Sequence, residues 1–208
     1  GYWSRGLGDV YKRQILVPYD APAFTPNLYQ EIQMAEAAFN IAEKFGFTQR
    51  DQDIFAINSH VNALKSKKYL IDEIVNIGPE NTLFDPYARN LNLKLCERAP
   101  KLFGSITYAN TAISADAASF VVICRNIIKG RKALKLISGV TVGTNPKLPG
   151  LSPITAIEEV FQASGLRQKN INQVEVMEAY ASQAMACLSE SGLGNVKTNP
   201  KGGALARG

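Results

Sequence analysis

Two stretches near the start of the chain carry apolar residues at helical spacing. Leu28, Ile32, Ala35, Phe39, Ala42 and Phe45 recur three and four apart. That spacing predicts an amphipathic helix over 28–45, closed by Gly46. Thr48-Gln-Arg-Asp51 is a near capping box with Asp in the place of Glu or Gln. Behind it Ile54, Ile57, Val61 and Leu64 predict the inner face of a second helix to about Lys67. Ser152-Pro153 predicts a later start, with Ser152 as N-cap and proline at the first helical position, and that helix runs to Gly165.

Elsewhere the periods are shorter. Asp72–Ile77 predicts a short strand, followed by turn chemistry at Gly78-Pro79 and Asp85-Pro86 and a helical stretch near Leu91–Arg98. Gly104–Tyr108 reads as a strand, Asn110–Ser114 as polar loop and Ala115–Ile128 as an apolar helix closed by Gly130. Lys132–Val142 and Val174–Val176 read as strands, Glu178–Glu190 as a helix and Val196–Thr198 as the start of another strand. From residue 104 onward the alternation of strand and helix implies an α/β sheet with right-handed crossovers. Residues 15–27, with Pro18, Pro22 and Pro26, read as loop, and Lys129, Arg131 and Lys132 mark a hinge between two halves. The chain shows no internal repeat.

Composition sharpens the picture in three places. The opening segment ends in Asp9-Val-Tyr-Lys-Arg-Gln14, which resembles the translation of a sequencing adaptor, so residues 1–14 are expected to be a non-native scar. The net charge is +5, of which Arg5, Lys12 and Arg13 against Asp9 supply two. The remaining excess suits an anionic ligand but is too small to argue for nucleic acid. No apolar run approaches the roughly 20 residues of a membrane span. The three cysteines, Cys96, Cys124 and Cys187, are odd in number and lack metal-ligand spacing, so no metal site and a reducing, cytoplasmic setting are expected. Cys124 and Cys187 lie in apolar runs and read as small core residues. Cys96 has Arg98 nearby, which would favour its thiolate, but it too reads as a structural residue. His60, the only histidine, reads as a satisfied or solvated residue rather than a base.

The blocks Met34–Ala42, Arg50–His60, Gly104–Asn110, Gly150–Pro153, Met177–Tyr180 and Asn199–Gly208 together resemble, in the same order, motifs of the thiolases. Met34-Ala-Glu-Ala-Ala-Phe-Asn-Ile-Ala is similar to that family's Met-Gly-x-Thr-Ala-Glu-Asn-x-Ala. Arg50-Asp-Gln-Asp-Ile-Phe-Ala-Ile-Asn-Ser-His60 resembles its Arg-x-x-Gln-Asp-x-(Phe/Tyr)-Ala-x-x-Ser helix. Gly104-Ser-Ile-Thr-Tyr-Ala-Asn110 resembles Gly-Thr-Val-Thr-Ala-Gly-Asn, and Gly150-Leu-Ser-Pro153 resembles Gly-x-Gly-Pro. Met177-Glu-Ala-Tyr180 followed by Asn199-Pro-Lys-Gly-Gly-Ala-Leu-Ala-Arg-Gly208 resembles the Asn-Glu-Ala-Phe and Asn-x-x-Gly-Gly-Ala-x-Ala-x-Gly pair.

The resemblance implies an α/β fold, layered helix–sheet–helix–sheet–helix, with a mainly helical loop domain and truncation at both ends. Residues 15–130 would be the later part of the N-terminal domain, with the loop domain at about 15–103. Residues 131–208 would open the C-terminal domain. The implied activity is condensation or thiolysis of short-chain 3-oxoacyl-CoA, with coenzyme A thioester as substrate, no permanently bound cofactor, and a homodimer or homotetramer as the assembly. The family's reactive cysteine, its histidine and its second cysteine fall outside these residues, so the fragment alone is expected to be inactive. Met177 stands where the family has the asparagine that holds an oxyanion-hole water, and a thioether donates no hydrogen bond. A thiolase-like protein that binds acyl-CoA with weakened or no catalysis is therefore the alternative. By the same resemblance Met34, Arg89, Arg98, Asn110, Ala112, Ala179 and Tyr180 would contact acyl-CoA. Gly202-Gly203 would bring backbone close to substrate.

Overall fold

The computed structural model describes residues 32–75, 85–115, 118–126, 130 and 133–207. Its longest element starts at the capping box. Thr48 Oγ1 accepts from the Asp51 N–H, and the Asp51 carboxylate accepts in return from the Thr48 N–H. Helix α2, Gln49–Leu70, follows from that start and runs three residues beyond the expected end. Before it, helix α1 spans Met34–Phe45, and Gly46 closes it in the left-handed region at φ +69°. The predicted first turn at 28–31 lies outside the described residues, as do the adaptor-like segment, the loop at 15–27, the Gly78-Pro79 turn and the basic hinge residues Lys129, Arg131 and Lys132.

Helix α3 is a single turn, Leu93–Cys96, shorter than the predicted Leu91–Arg98. The Asn92 side chain caps it by accepting from the Leu95 N–H at 3.1 Å, and Pro100 follows too closely for another turn. Strands β1, Lys101–Phe103, and β2, Ile106–Thr107, form a tight antiparallel pair around Gly104. Gly104 has φ +53°, and a Cβ there would run into the Phe39 ring of α1. Phe39 also packs on Phe103, with ring centroids 5.5 Å apart.

A 3-10 turn at Pro149–Leu151 leads directly into α4, Ser152–Ser164, closed by Gly165. Ser152 is therefore inside the helix rather than its N-cap, and its hydroxyl bonds to Thr144. Strand β3, Gln173–Val174, helix α5, Ala181–Glu190, and strand β4, Lys197–Thr198, make a parallel βαβ unit. A final turn of helix, α6, spans Ala204–Arg207. Helix α5 packs on α1 and α2, and α6 packs on α2.

Small side chains fill the interior. Ala37, Ala38, Ala42, Ala56, Ala63, Ala109, Ala181, Ala184, Ala186, Ala204 and Ala206 are all buried, with Ile41, Leu91, Ile106, Leu188, Leu193 and Leu205 as the large aliphatic members. Such helices approach closely, and their stability comes from many short contacts rather than a few bulky groups.

Three predicted elements are absent among the described residues. Residues 71–73 form a turn continuing from α2, with Glu73 and Ile74 donating back to the Leu70 carbonyl, in place of the described part, 72–75, of the predicted strand. The described part of 115–128 is not helical, and 133–142 pairs with no strand. Phe120 is 97% exposed and Leu134 fully exposed. Val121, Val122 and Ile123 lose χ1 freedom in a helix, so an apolar helix there needs a packed surface to repay it. A strand needs a neighbour for its N–H and C=O groups. Neither segment meets one among the described residues.

Candidate functional site

Asn110, Ala112, Ala179 and Tyr180 come together because the segment after β2 runs antiparallel to the entrance of α5. Thr111 and Tyr180 form a bridge. Ala112 donates its N–H to the Ala179 carbonyl, and Ala181 donates to the Asn110 carbonyl, each at 3.0 Å. The segment is anchored from below by α2. Asn110 Nδ2 donates to the buried Asp53 carboxylate at 3.1 Å and to the Ser105 carbonyl, while its Oδ1 accepts from the Thr107 N–H at 2.9 Å. Both ends of the Asn110 amide are thus committed within the fold, so its part in any site is to shape the 105–112 loop. Burial raises the pKa of Asp53, against the pull of Asn110 and Gln49. Tyr180 is half-buried, and burial raises its phenol too. Thr111 Oγ1 is buried with no hydrogen-bond partner.

Met177 lies two residues before Ala179 and is 64% exposed, so it is not a core residue. Its neighbour Glu178 is buried. The Glu178 carboxylate accepts from Ser59 Oγ at 2.7 Å, from Asn199 Nδ2 at 2.6 Å and from the Leu205 N–H at 3.2 Å. Ser59 Oγ in turn accepts from the Gly203 N–H at 2.9 Å. In the sequence Glu178 is marked only as an acid following the apolar run Val174–Val176, with an asparagine and two glycines about twenty residues on.

Gly202 and Gly203 bring backbone close to protein rather than to an open cleft. Gly202 has φ +81°, and a Cβ there would lie 2.6 Å from the Ala63 Cβ and 2.7 Å from the Ala63 nitrogen of α2. A Cβ at Gly203 would strike the Glu178 carboxylate.

The remaining candidates are dispersed. Met34 opens α1 and is exposed. Arg89 folds back on Tyr87, its guanidinium 4.3 Å from the ring centroid, and Arg98 is exposed. Among the described residues no hydrogen bond or ion pair joins these three to the 110–112 and 179–180 segments. His60 is buried, 1% exposed, not on the surface. Its Nδ1 accepts from the Arg89 N–H at 3.3 Å, and burial, with Arg89 adding, pushes its pKa down to about 4. Cys96 and Cys187 are core residues as expected. Burial pushes the Cys96 thiol up to about 11, with the Asp53 charge adding and Arg89 opposing, so the activation that Arg98 would bring does not occur. Burial raises Cys187 as well. Cys124 departs from expectation and is exposed, because the apolar run that holds it meets no surface to pack on among the described residues. Among the described residues no cluster of His, Cys, Asp and Glu is placed to hold a metal, and no helix is long and apolar enough to cross a membrane.

The pattern that defines the thiolase N-terminal domain matches residues 3–127, and that of the thiolase C-terminal domain matches residues 131–208. The chain belongs to the thiolase family. Its fold is the α/β thiolase fold in part. The solved acetyl-CoA acetyltransferase of Syntrophomonas wolfei superposes with a TM-score of 0.68 at 28% identity, covering 85% of this chain and 49% of that one. Among curated thiolases, the beta-ketoadipyl-CoA thiolase of Acinetobacter baylyi is 30% identical over 87% of this chain and 50% of its own length. The peroxisomal 3-ketoacyl-CoA thiolase of Saccharomyces cerevisiae is 32% identical over 81% of this chain and 44% of its own. This thiolase chain thus spans about half the length of the curated relatives it matches.

Proposed function

We propose that the protein to which this chain belongs is a coenzyme A-dependent acyltransferase of short-chain 3-oxoacyl thioesters. In the degradative direction acetoacetyl-CoA and CoA give two acetyl-CoA; in the other, two acetyl-CoA condense and release CoA. One observation carries the reading. The segments that the resemblance assigns to the acyl-CoA site, 110–112 and 177–180, are hydrogen-bonded into one surface, and the 199–207 turn is tied to it through Glu178. Ala112, Ala179 and Tyr180 would line the acyl end, with Met34 beside it. Arg89 and Arg98 would face the nucleotide end of the thioester, with Asn110 setting the loop. Coenzyme A enters and leaves as substrate, and no resident cofactor is invoked. A homodimer or homotetramer in the cytoplasm is the proposed setting, and the free thiols of the described chain suit a reducing compartment.

The test is turnover of acetoacetyl-CoA by the protein extended to the length of its relatives. CoA-dependent loss of acetoacetyl-CoA with two equivalents of acetyl-CoA formed is the expected result. Met177 supports a second reading. Its thioether is exposed where the family places a hydrogen-bonding amide, and loss of one oxyanion-hole donor costs on the order of 10²–10³ in rate. Saturable acyl-CoA binding without turnover would favour that acyl-CoA-binding protein. Restoration of rate by Met177→Asn would point instead to a weakened enzyme.

A further inference from the structure

Among the described residues, Glu178 is the one buried carboxylate on which three separate parts of the chain converge. Ser59 reaches it from α2, Asn199 from the end of β4, and the Leu205 N–H from the first turn of α6. Three donors aimed at one side chain call for an acceptor with two oxygens and no proton of its own, which a carboxylate supplies and an amide does not. The consequence spreads through Asn199, the one non-glycine residue with positive φ among those described. Asn199 donates its own N–H to the Val174 carbonyl at 2.9 Å. Its side chain then accepts from the Val176 N–H at 2.8 Å and donates to the Val176 carbonyl at 2.9 Å. The amide side chain therefore extends the parallel β3–β4 ladder by one step. Its orientation is fixed because its remaining N–H points at Glu178.

We propose that Glu178 is a positioning residue that sets the backbone entering Met177 against the 199–205 turn, with Ser59 carrying the same constraint to Gly203. This rests on the acyl-transfer reading above for its functional meaning, since Met177 stands where that reading places an oxyanion-hole group. The carboxylate itself, enclosed by its donors, would not touch substrate.

Amide hydrogen exchange on the 208-residue chain tests the constraint directly. Glu178→Gln turns an NH2 group toward one of the three donors. Protection at Leu205 and Val176 is expected to fall roughly 10- to 100-fold, the cost of leaving buried donors unpaired, with amides of α4 unchanged. Ser59→Ala is the milder variant and should deprotect Gly203 first. Wild-type exchange rates at Leu205 and Val176 in Glu178→Gln, or a uniform acceleration everywhere, would overturn the proposal. If Glu178→Gln does not fold, Ser59→Ala decides, and wild-type exchange at Gly203 there overturns it. In the extended protein, Glu178→Gln should lower kcat tenfold or more with KM for CoA nearly constant, whereas an unchanged kcat counts against positioning. If the unsubstituted extended protein does not turn over, the acyl-transfer reading fails, and the exchange data alone decide the role of Glu178.

Discussion

Protonating His60 should destabilise this chain, and the size of the effect follows from its setting. The imidazole is almost wholly enclosed, its Nδ1 is occupied as an acceptor from the Arg89 N–H, and the Arg89 guanidinium adds like charge nearby. Its pKa in the fold is about 4, against 6.5 for the free group. The folded state thus binds fewer protons than the unfolded chain between those values, so stability rises with pH across that window. The contribution is complete above pH 6.5, declines as pH falls, and is gone near pH 4. A displacement of that size corresponds to about 3 kcal/mol. The assay is urea denaturation of the chain and of His60→Gln from pH 7.5 to 4. The glutamine can accept from the Arg89 N–H but does not titrate. Asp53, whose raised pKa works in the opposite direction, is common to both proteins and cancels. The difference in stability between them should move by about 3 kcal/mol in favour of the variant as pH drops. A difference that stays constant from pH 7 to 4 would refute the reasoning.

Other expectations follow from single contacts. Thiol labelling of the native chain should modify Cys124 first, with Cys96 and Cys187 reacting at the rate of unfolding, because only Cys124 is exposed; quantifying modified peptides over time checks it. Asn110→Ala should destabilise the fold by about 1–3 kcal/mol, since it leaves the Asp53 Oδ1 and the Thr107 N–H without their partner; denaturant midpoints measure this. Gly202→Ala should cost at least as much, because the added methyl meets the backbone of α2 and the residue sits at positive φ; failure to lower the midpoint would show that α2 can shift to make room.

Local chemistry was readable where an element is closed by its own residues. The Thr48–Asp51 capping box, the Gly46 and Gly165 stops and the β3–α5–β4 unit are all set by neighbours within a few residues or one crossover. The run 115–128 and the segment 132–142 failed for the complementary reason. Their apolar patterns are consistent with a helix and a strand, but those forms depend on a surface to pack against, which a local pattern does not contain. The site divides in the same way. Family blocks located 110–112 and 177–180, whereas Glu178 and Ser59, 119 residues apart, are joined only because α2 packs against α5 and α6. The Asn110 side chain looked available in sequence and is occupied in the structure, because its partner Asp53 lies on a distant helix.

The alanine interior has a consequence for how this protein tolerates change. Trimming a methyl group from Ala56 or Ala184 leaves a space too small to matter much, apart from the backbone freedom a glycine brings. Enlarging either to valine or leucine must push two helices apart, at roughly 1–3 kcal/mol per site. A saturation library should therefore be lopsided, with volume gains at the buried alanines purged and volume losses at the same positions retained. Such an interior leaves little room for new side chains, so diversity of function in this scaffold is steered toward its loops.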